Sequence, residues 1–262
     1  MITFTMDQLN GWIGQFLWPF VRVLGLIIAS PIFSESGIPT LVKIGLSFML
    51  TLAIAPAAGP MPAIDLNSYE AIMVVMQQTV IGLAMGLVMR VVFAAVQTGG
   101  EFISLQMGLS FASFFDPMQG ATTSVLPQFL NIIATMLFLS FDGHLLLLAA
   151  LAHSFDTLPV GFDALNRNGW GILAEWGASI FSSGLLLALP LICALLITNL
   201  AMGVLNRAAP QLTVFTVGFP ISLISGLLLL ASVLPHSGAY FEALFQQGYD
   251  TLGRLLTGLA GR

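Results

Sequence analysis

The chain has 262 residues, of which 57% are hydrophobic and only 7% charged, whereas about a quarter of a soluble domain is charged, so an ordinary soluble fold is excluded. The net charge of -5 is spread thinly over the chain, with no basic patch, which argues against nucleic acid as a partner. Cys193 is the single cysteine, which rules out an internal disulfide, and its setting in ALPLICALLI reads as a small core position.

A membrane span needs about 20 apolar residues, and uncharged windows of that order recur along the sequence. Six hydrophobic segments follow, at 12–33, 41–57, 71–98, 124–152, 177–205 and 211–234. All are expected to be helical, because lipid-buried backbone must bond to itself and the alternating pattern of a barrel is missing. No lysine or arginine precedes Arg22, so the positive region of a cleavable signal is absent and the first segment is expected to be retained.

The first segment carries Arg22 in its middle, and a central arginine costs roughly 2.5–3.5 kcal/mol on an insertion scale. Pro19, Pro31, Pro56, Pro127, Pro190 and Pro220 fall within or beside apolar runs, where each can bend a helix. Buried charge and bends suit helices packed inside a protein assembly. The alternative is an Arg22 that snorkels to an interface, with ordinary membrane kinks at the prolines. In the third segment Gly82 and Gly86 form a G-x-x-x-G pair that lets another backbone approach.

Next comes GLSFASFFDPMQG, Gly108 to Gly120, too rich in phenylalanine for a solvated loop and too broken for a span. The fourth segment contains Asp142, Gly143 and His144, which read either as a proton relay or as a polar turn at a span end, and the turn is preferred because LLLLAALA offers the relay no continuing partner. Trp170 and Trp176 flank the start of the fifth segment, where interfacial indoles sit. NRAAPQL then makes a tight turn before the sixth. At the C-terminus Phe241, Leu244, Phe245, Leu252, Leu255 and Leu256 recur at helical spacing, an amphipathic helix expected on an interface or a partner.

Basic residues near span ends favour the cytoplasm, which puts Lys43, Arg90 and Arg207 there. The acidic 58–70 and 153–175 regions and both termini then fall on the other side, against which Arg167, Arg254 and Arg262 stand as an objection. Arg22, Arg90, Glu101 and Arg207 could line a solute path, but they sit mostly at predicted ends and read as structural anchors. No Walker loop, G-x-S-x-G elbow or H-E-x-x-H motif occurs, and His144, His153 and His236 lack metal-binding spacing. The expectation is a protein with no catalytic residues, no cofactor and no metal.

The run VVFAAVQTGGEFISLQMGLSFASFFDPMQGATTSVLPQFLNIIATMLFLSFDGHLLLL resembles the FliR/SctT family of type III export gate subunits. G-E-F-I-S-x-Q-M-G-L-S-F-A, the D-P that follows and F-D-G-H-L after the next span stand in the family's order, and D-G-H-L favours its flagellar branch. The likeness extends to Arg22–Gly25 and Pro31–Phe33 and covers most of the chain.

The resemblance implies an all-α, membrane-associated fold of kinked helical hairpins. A FliP-like part (1–170) would precede a FliQ-like hairpin with a C-terminal amphipathic helix (171–262), the hairpin being LLLALPLICALLITNLAMGVLNRAAPQLTVFTVGFPISL. It implies a hetero-oligomer with FliP and FliQ, standing largely above the inner membrane of the flagellar basal body, and passage of unfolded flagellar subunits along its axis. FlhB, met at Arg207 and Gln211, and more loosely FlhA, would be further partners. Residues 106–122 would be a lumenal plug: Phe111, Phe114, Phe115 and Met118 fill the pore, Gly108, Pro117 and Gly120 act as hinges, and Asp116 caps a turn or pairs with a neighbour. Without the resemblance, the same phenylalanines read equally well as a core turn. A small-solute secondary transporter is the competing function, although the two halves lack the internal symmetry it should show.

Overall fold

The computed structural model describes residues 6–34, 37–56, 58–59, 61–62, 64–65, 68–109, 125–161, 165–208 and 218–261. Its helices are α1 (Met6–Ala29), α2 (Thr40–Ile54), α3 (Tyr69–Gln106), α4 (Val125–Ser140), α5 (Gly143–Thr157), α6 (Arg167–Ala208), α7 (Phe219–Val233) and α8 (Gly238–Ala260), with a 3-10 turn at Leu234–His236. No strand occurs among the described residues, and the fold is all-α. Three helical stretches, Tyr69–Gln106, Arg167–Arg207 and Phe219–His236, are long and apolar enough to cross a membrane, or four if the bent α4–α5 pair is one span.

The predicted helices are present, with instructive differences at their ends. The fourth segment is broken: Asp142 takes left-handed φ 55°, its carbonyl accepts the N–H groups of Leu145 and Leu146, and α5 starts anew at Gly143. The polar turn expected there is therefore a helix break in the middle of the segment. Conversely, α3 runs on to Gln106 and α6 reaches back to Arg167, so that both are far longer than their apolar runs. At 1.5 Å per residue, 38 and 42 residues give about 57 and 63 Å, roughly twice a bilayer's hydrocarbon core.

Among the six prolines, only Pro19 and Pro190 lie inside helices. Pro127 and Pro220 occupy first turns, where the missing N–H has no intrahelical partner to lose, and Pro31 and Pro56 follow the ends of α1 and α2. Most of them punctuate helices instead of kinking them.

The chain divides into two compact units, each assembled from separated stretches. In the first (1–91, 142–177 and 246–262), α1 and the N-terminal part of α3 run parallel, with Trp18 packed on Val74, Arg22 bonded to Gln78 and Ala29 against Gly86. The close approach rests on glycine. A Cβ on Gly82 would collide with the Arg22 carbonyl oxygen and stand 3.0 Å from Leu26 N, and one on Gly86 would stand 2.5 Å from the Ala29 Cβ. The G-x-x-x-G pair thus receives a backbone of the same chain. Trp176 is buried, and its indole N–H donates to the Val88 carbonyl at 2.9 Å, so it is an internal strut and not an interfacial anchor.

In the second unit (92–141 and 178–245), Phe93, Phe138 and Phe245 meet with ring centroids 5.3–6.1 Å apart. Gly99 and Gly184 bring α3 and α6 together: a Cβ on Gly99 would stand 2.9 Å from the Gly184 carbonyl oxygen. The Asn199 side chain accepts a bond from the Ser222 hydroxyl at 2.9 Å, tying α6 to α7. Over most of its apolar length α6 buries only a narrow stripe, including Ala188, Leu191 and Leu195. Cys193 lies off that stripe and is exposed, which corrects its reading as a core residue.

The C-terminal stripe is Phe241, Leu244, Phe245, Leu252, Leu255 and Leu256 as predicted, and all six are buried while Glu242, Asp250 and Arg254 face outward. The surface they cover belongs to this chain, so α8 is a core helix and not an external amphipathic one. Phe245 joins the aromatic group of the second unit, and in the first the Leu259 carbonyl accepts the Asn166 N–H at 2.9 Å.

Candidate functional site

The phenylalanine-rich segment begins at the end of α3, and its base is tightly packed. Ile103, Ser104 and Met107 are buried, and Met107 fills the gap left by Gly226 of α7, where a Cβ would stand 2.6 Å from its Cγ. Gly108 then takes φ 80°, with its N–H bonded to the Leu105 carbonyl at 3.1 Å. That left-handed glycine ends the helix in the way glycine commonly does, without the strain a Cβ would add. On the return side, Pro127 of α4 lies directly on Gly100, so closely that a Cβ there would stand 2.6 Å from the proline Cα. The described residues that bracket the segment thus both meet α3: Gly108 ends it and Pro127 packs on its Gly100. Phe111, Phe114, Phe115, Asp116, Pro117, Met118 and Gly120, as well as Gln211, lie outside the described residues.

The structural charges divide sharply. Arg90 and Glu101 are exposed on α3, and Arg207 is exposed in the last turn of α6, where a cation complements the helix dipole. Arg22 is 0% exposed and does not snorkel. Its Nε donates to Gln78 Oε1 at 2.7 Å, Nη1 to the Ser154 carbonyl and hydroxyl at 2.9 and 3.0 Å, and Nη2 to the Leu158 carbonyl at 2.7 Å. The Phe155 ring lies 4.1 Å from the guanidinium carbon, within cation–π range. Thus α1, α3 and the end of α5 converge on one side chain.

At the other end of α5, the Tyr249 hydroxyl donates to the Gly143 carbonyl at 2.8 Å. Burial raises the pKa of this phenol well above the usual range, which keeps it a neutral donor. His153 sits beside Asp156 at 3.3 Å on an exposed face, and His144 follows the break at Asp142.

Sequence reasoning missed Gln78, Ser154 and Leu158 as partners of Arg22, and Gly226 as the seat of Met107. Gln78 carried a faint signal, since an amide inside VVMQQTV needs a bonding partner. Ser154 and Leu158 carried none, because carbonyls 132 and 136 residues away leave no trace in local composition.

The features above define an all-α membrane protein in which Pro127 of α4 packs on Gly100 of α3, close to the left-handed Gly108. Residues 13–248 match the family described as bacterial export proteins, family 1. The chain is 46% identical over 260 residues to the flagellar biosynthetic protein FliR of Pectobacterium carotovorum subsp. carotovorum and 44% identical over 259 residues to that of Escherichia coli strain K12, with 99% of each chain covered. The chain belongs to this family of bacterial export proteins, and it is a membrane component of the flagellar export apparatus.

Proposed function

We propose that the chain is a non-enzymatic channel subunit of the flagellar type III export gate, which passes unfolded flagellar subunits across the inner membrane. In this reading residues 106–122 are a plug, with Phe111, Phe114, Phe115 and Met118 closing the pore. The observation that carries it is the anchored base: a run of apolar side chains leaves α3 at a left-handed glycine beside the pinned Met107, and rejoins the same helix through Pro127 on Gly100. In this reading the base holds the plug in register.

The closure is a matter of solvation. Each phenylalanine withdrawn from water contributes about 1.5–3 kcal/mol, and an apolar constriction excludes water and ions. A passing unfolded chain offers replacement apolar contacts, so opening needs no covalent step. The protein works within a multi-subunit complex. Its immediate neighbours in this reading are FliP and FliQ, with residues 1–170 FliP-like and 171–262 FliQ-like. Arg207 and Gln211 would face FlhB on the cytoplasmic side, with FlhA more distant, and the assembled gate would project toward the periplasm.

The test is replacement of residues 110–119 by a short glycine linker in cells carrying the whole apparatus. A plug predicts increased ion conductance across the inner membrane while export continues. Unchanged conductance with normal assembly would remove the plug role.

A further inference from the structure

The proposed channel role leaves unused the one charge that is most costly to bury. Arg22 is wholly enclosed, and among the described residues each acceptor bonded to it is neutral: an amide oxygen on α3, a hydroxyl on α5, and two carbonyls at the C-terminal end of α5. The C-terminus of a helix is partly negative, so a cation is well placed there; the Ser154 carbonyl, which already accepts the Leu158 N–H at 2.9 Å, takes the guanidinium as a second donor.

The orientation of Gln78 is fixed by the same contact. A guanidinium Nε can only donate, so the amide must present its oxygen, and Gln78 Nε2 is left buried with no partner among the described residues. The bond to Arg22 is thus the amide's means of satisfaction, and loss of the arginine would strand both ends of it. The short reach between helices is set by Gly25, whose Cβ would stand 2.8 Å from the Thr79 carbonyl oxygen, and by Gly82 against Arg22 itself.

We propose that Arg22 is an internal lock, a cationic cap on α5 that closes α1, α3 and α5 into one unit within a single polypeptide, before any other subunit is met. The lock cannot form until residues 78 and 154–158 have joined α1, because they supply the acceptors. It waits for nothing beyond them, since all three guanidinium nitrogens are then bonded inside the chain. The inference concerns assembly order and stands whether or not the phenylalanine segment is a plug.

The experiment uses the full chain in native membranes, produced with and without the other subunits of the apparatus, and follows limited proteolysis through an N-terminal tag. The wild-type chain alone should protect α1. Arg22→Met should be cleaved at least about tenfold faster in both settings, because buried groups are left unpaired and local opening rises with that loss. Arg22→Lys should fall between, because a compact ammonium lacks the planar fork that reaches two helices at once. Arg22→Met combined with Gln78→Leu should regain part of the protection by removing the stranded amide.

A wild-type chain that protects α1 only when the other subunits are present would overturn the proposal, and so would Arg22→Met cleaved at the wild-type rate. A double variant no more protected than Arg22→Met would replace the hydrogen-bonded lock with simple packing.

Discussion

The α1–α3–α5 region and the helices α6 and α7 are both strongly apolar, yet they use that apolarity in opposite directions. In the most apolar stretch of α3, 61% is buried inside the chain, against 22% for α6 and 17% for the span that includes α7. On the buried side small residues line the contact between α1 and α3. Gly25, Gly82, Gly86 and Ala29 let α1 and α3 touch through their backbones, and the space so closed leaves no room for lipid. Along α6 and α7, bulky side chains such as Phe181, Ile197, Leu200, Ile224 and Leu228 point away from the chain. Hydropathy sees the two as equals; packing separates a closed region from one that offers its surface outward.

That contrast can be broken most forcefully at the closed side. Gly82→Ala places a methyl group against backbone atoms of Arg22 and Leu26 that cannot turn away, and overpacking of this kind costs about 1–3 kcal/mol, more where backbone must shift. The expected outcome is a marked fall in the amount of chain recovered from membranes, measured with and without the other subunits. A near-normal yield would mean that the close α1–α3 contact is dispensable.

On the open side, Leu200 is 71% exposed. Leu200→Ser should leave the fold of the isolated chain within about 0.5 kcal/mol of wild type, as outward substitutions do, while lowering the yield of purified multi-subunit complex. Destabilisation of the chain alone would show that this face is covered from within. The smallest effect is expected at Cys193, which is exposed on the same helix: Cys193→Ser should be silent in yield and assembly, and labelling by a lipid-soluble maleimide should proceed in the wild-type chain without unfolding.

How much of this was legible beforehand varies by element. The C-terminal stripe was readable to the residue, because a period of 3.6 is a local property and every residue in it is buried. What covers that stripe was not, since burial against one's own chain and against a partner demand the same side chains. The break at Asp142 shows a similar division: an aspartate and a glycine announce a turn, but whether it falls at a span's end or in its middle depends on what packs against the following helix. Gly108 was legible as an end of the phenylalanine segment, whereas Met107 in the gap at Gly226 was not.

The sequence by itself determined the helical class, the membrane setting and the family, because lipid burial and local backbone preference are written residue by residue. Only the tertiary structure decided that Arg22 is bonded by α3 and α5, that Gly82 and Gly86 receive α1, that Cys193 faces outward and that α8 is core. Those are long-range choices. A carbonyl, an amide or a missing Cβ acquires its meaning from whatever arrives beside it, and what arrives is set by the path of the whole chain.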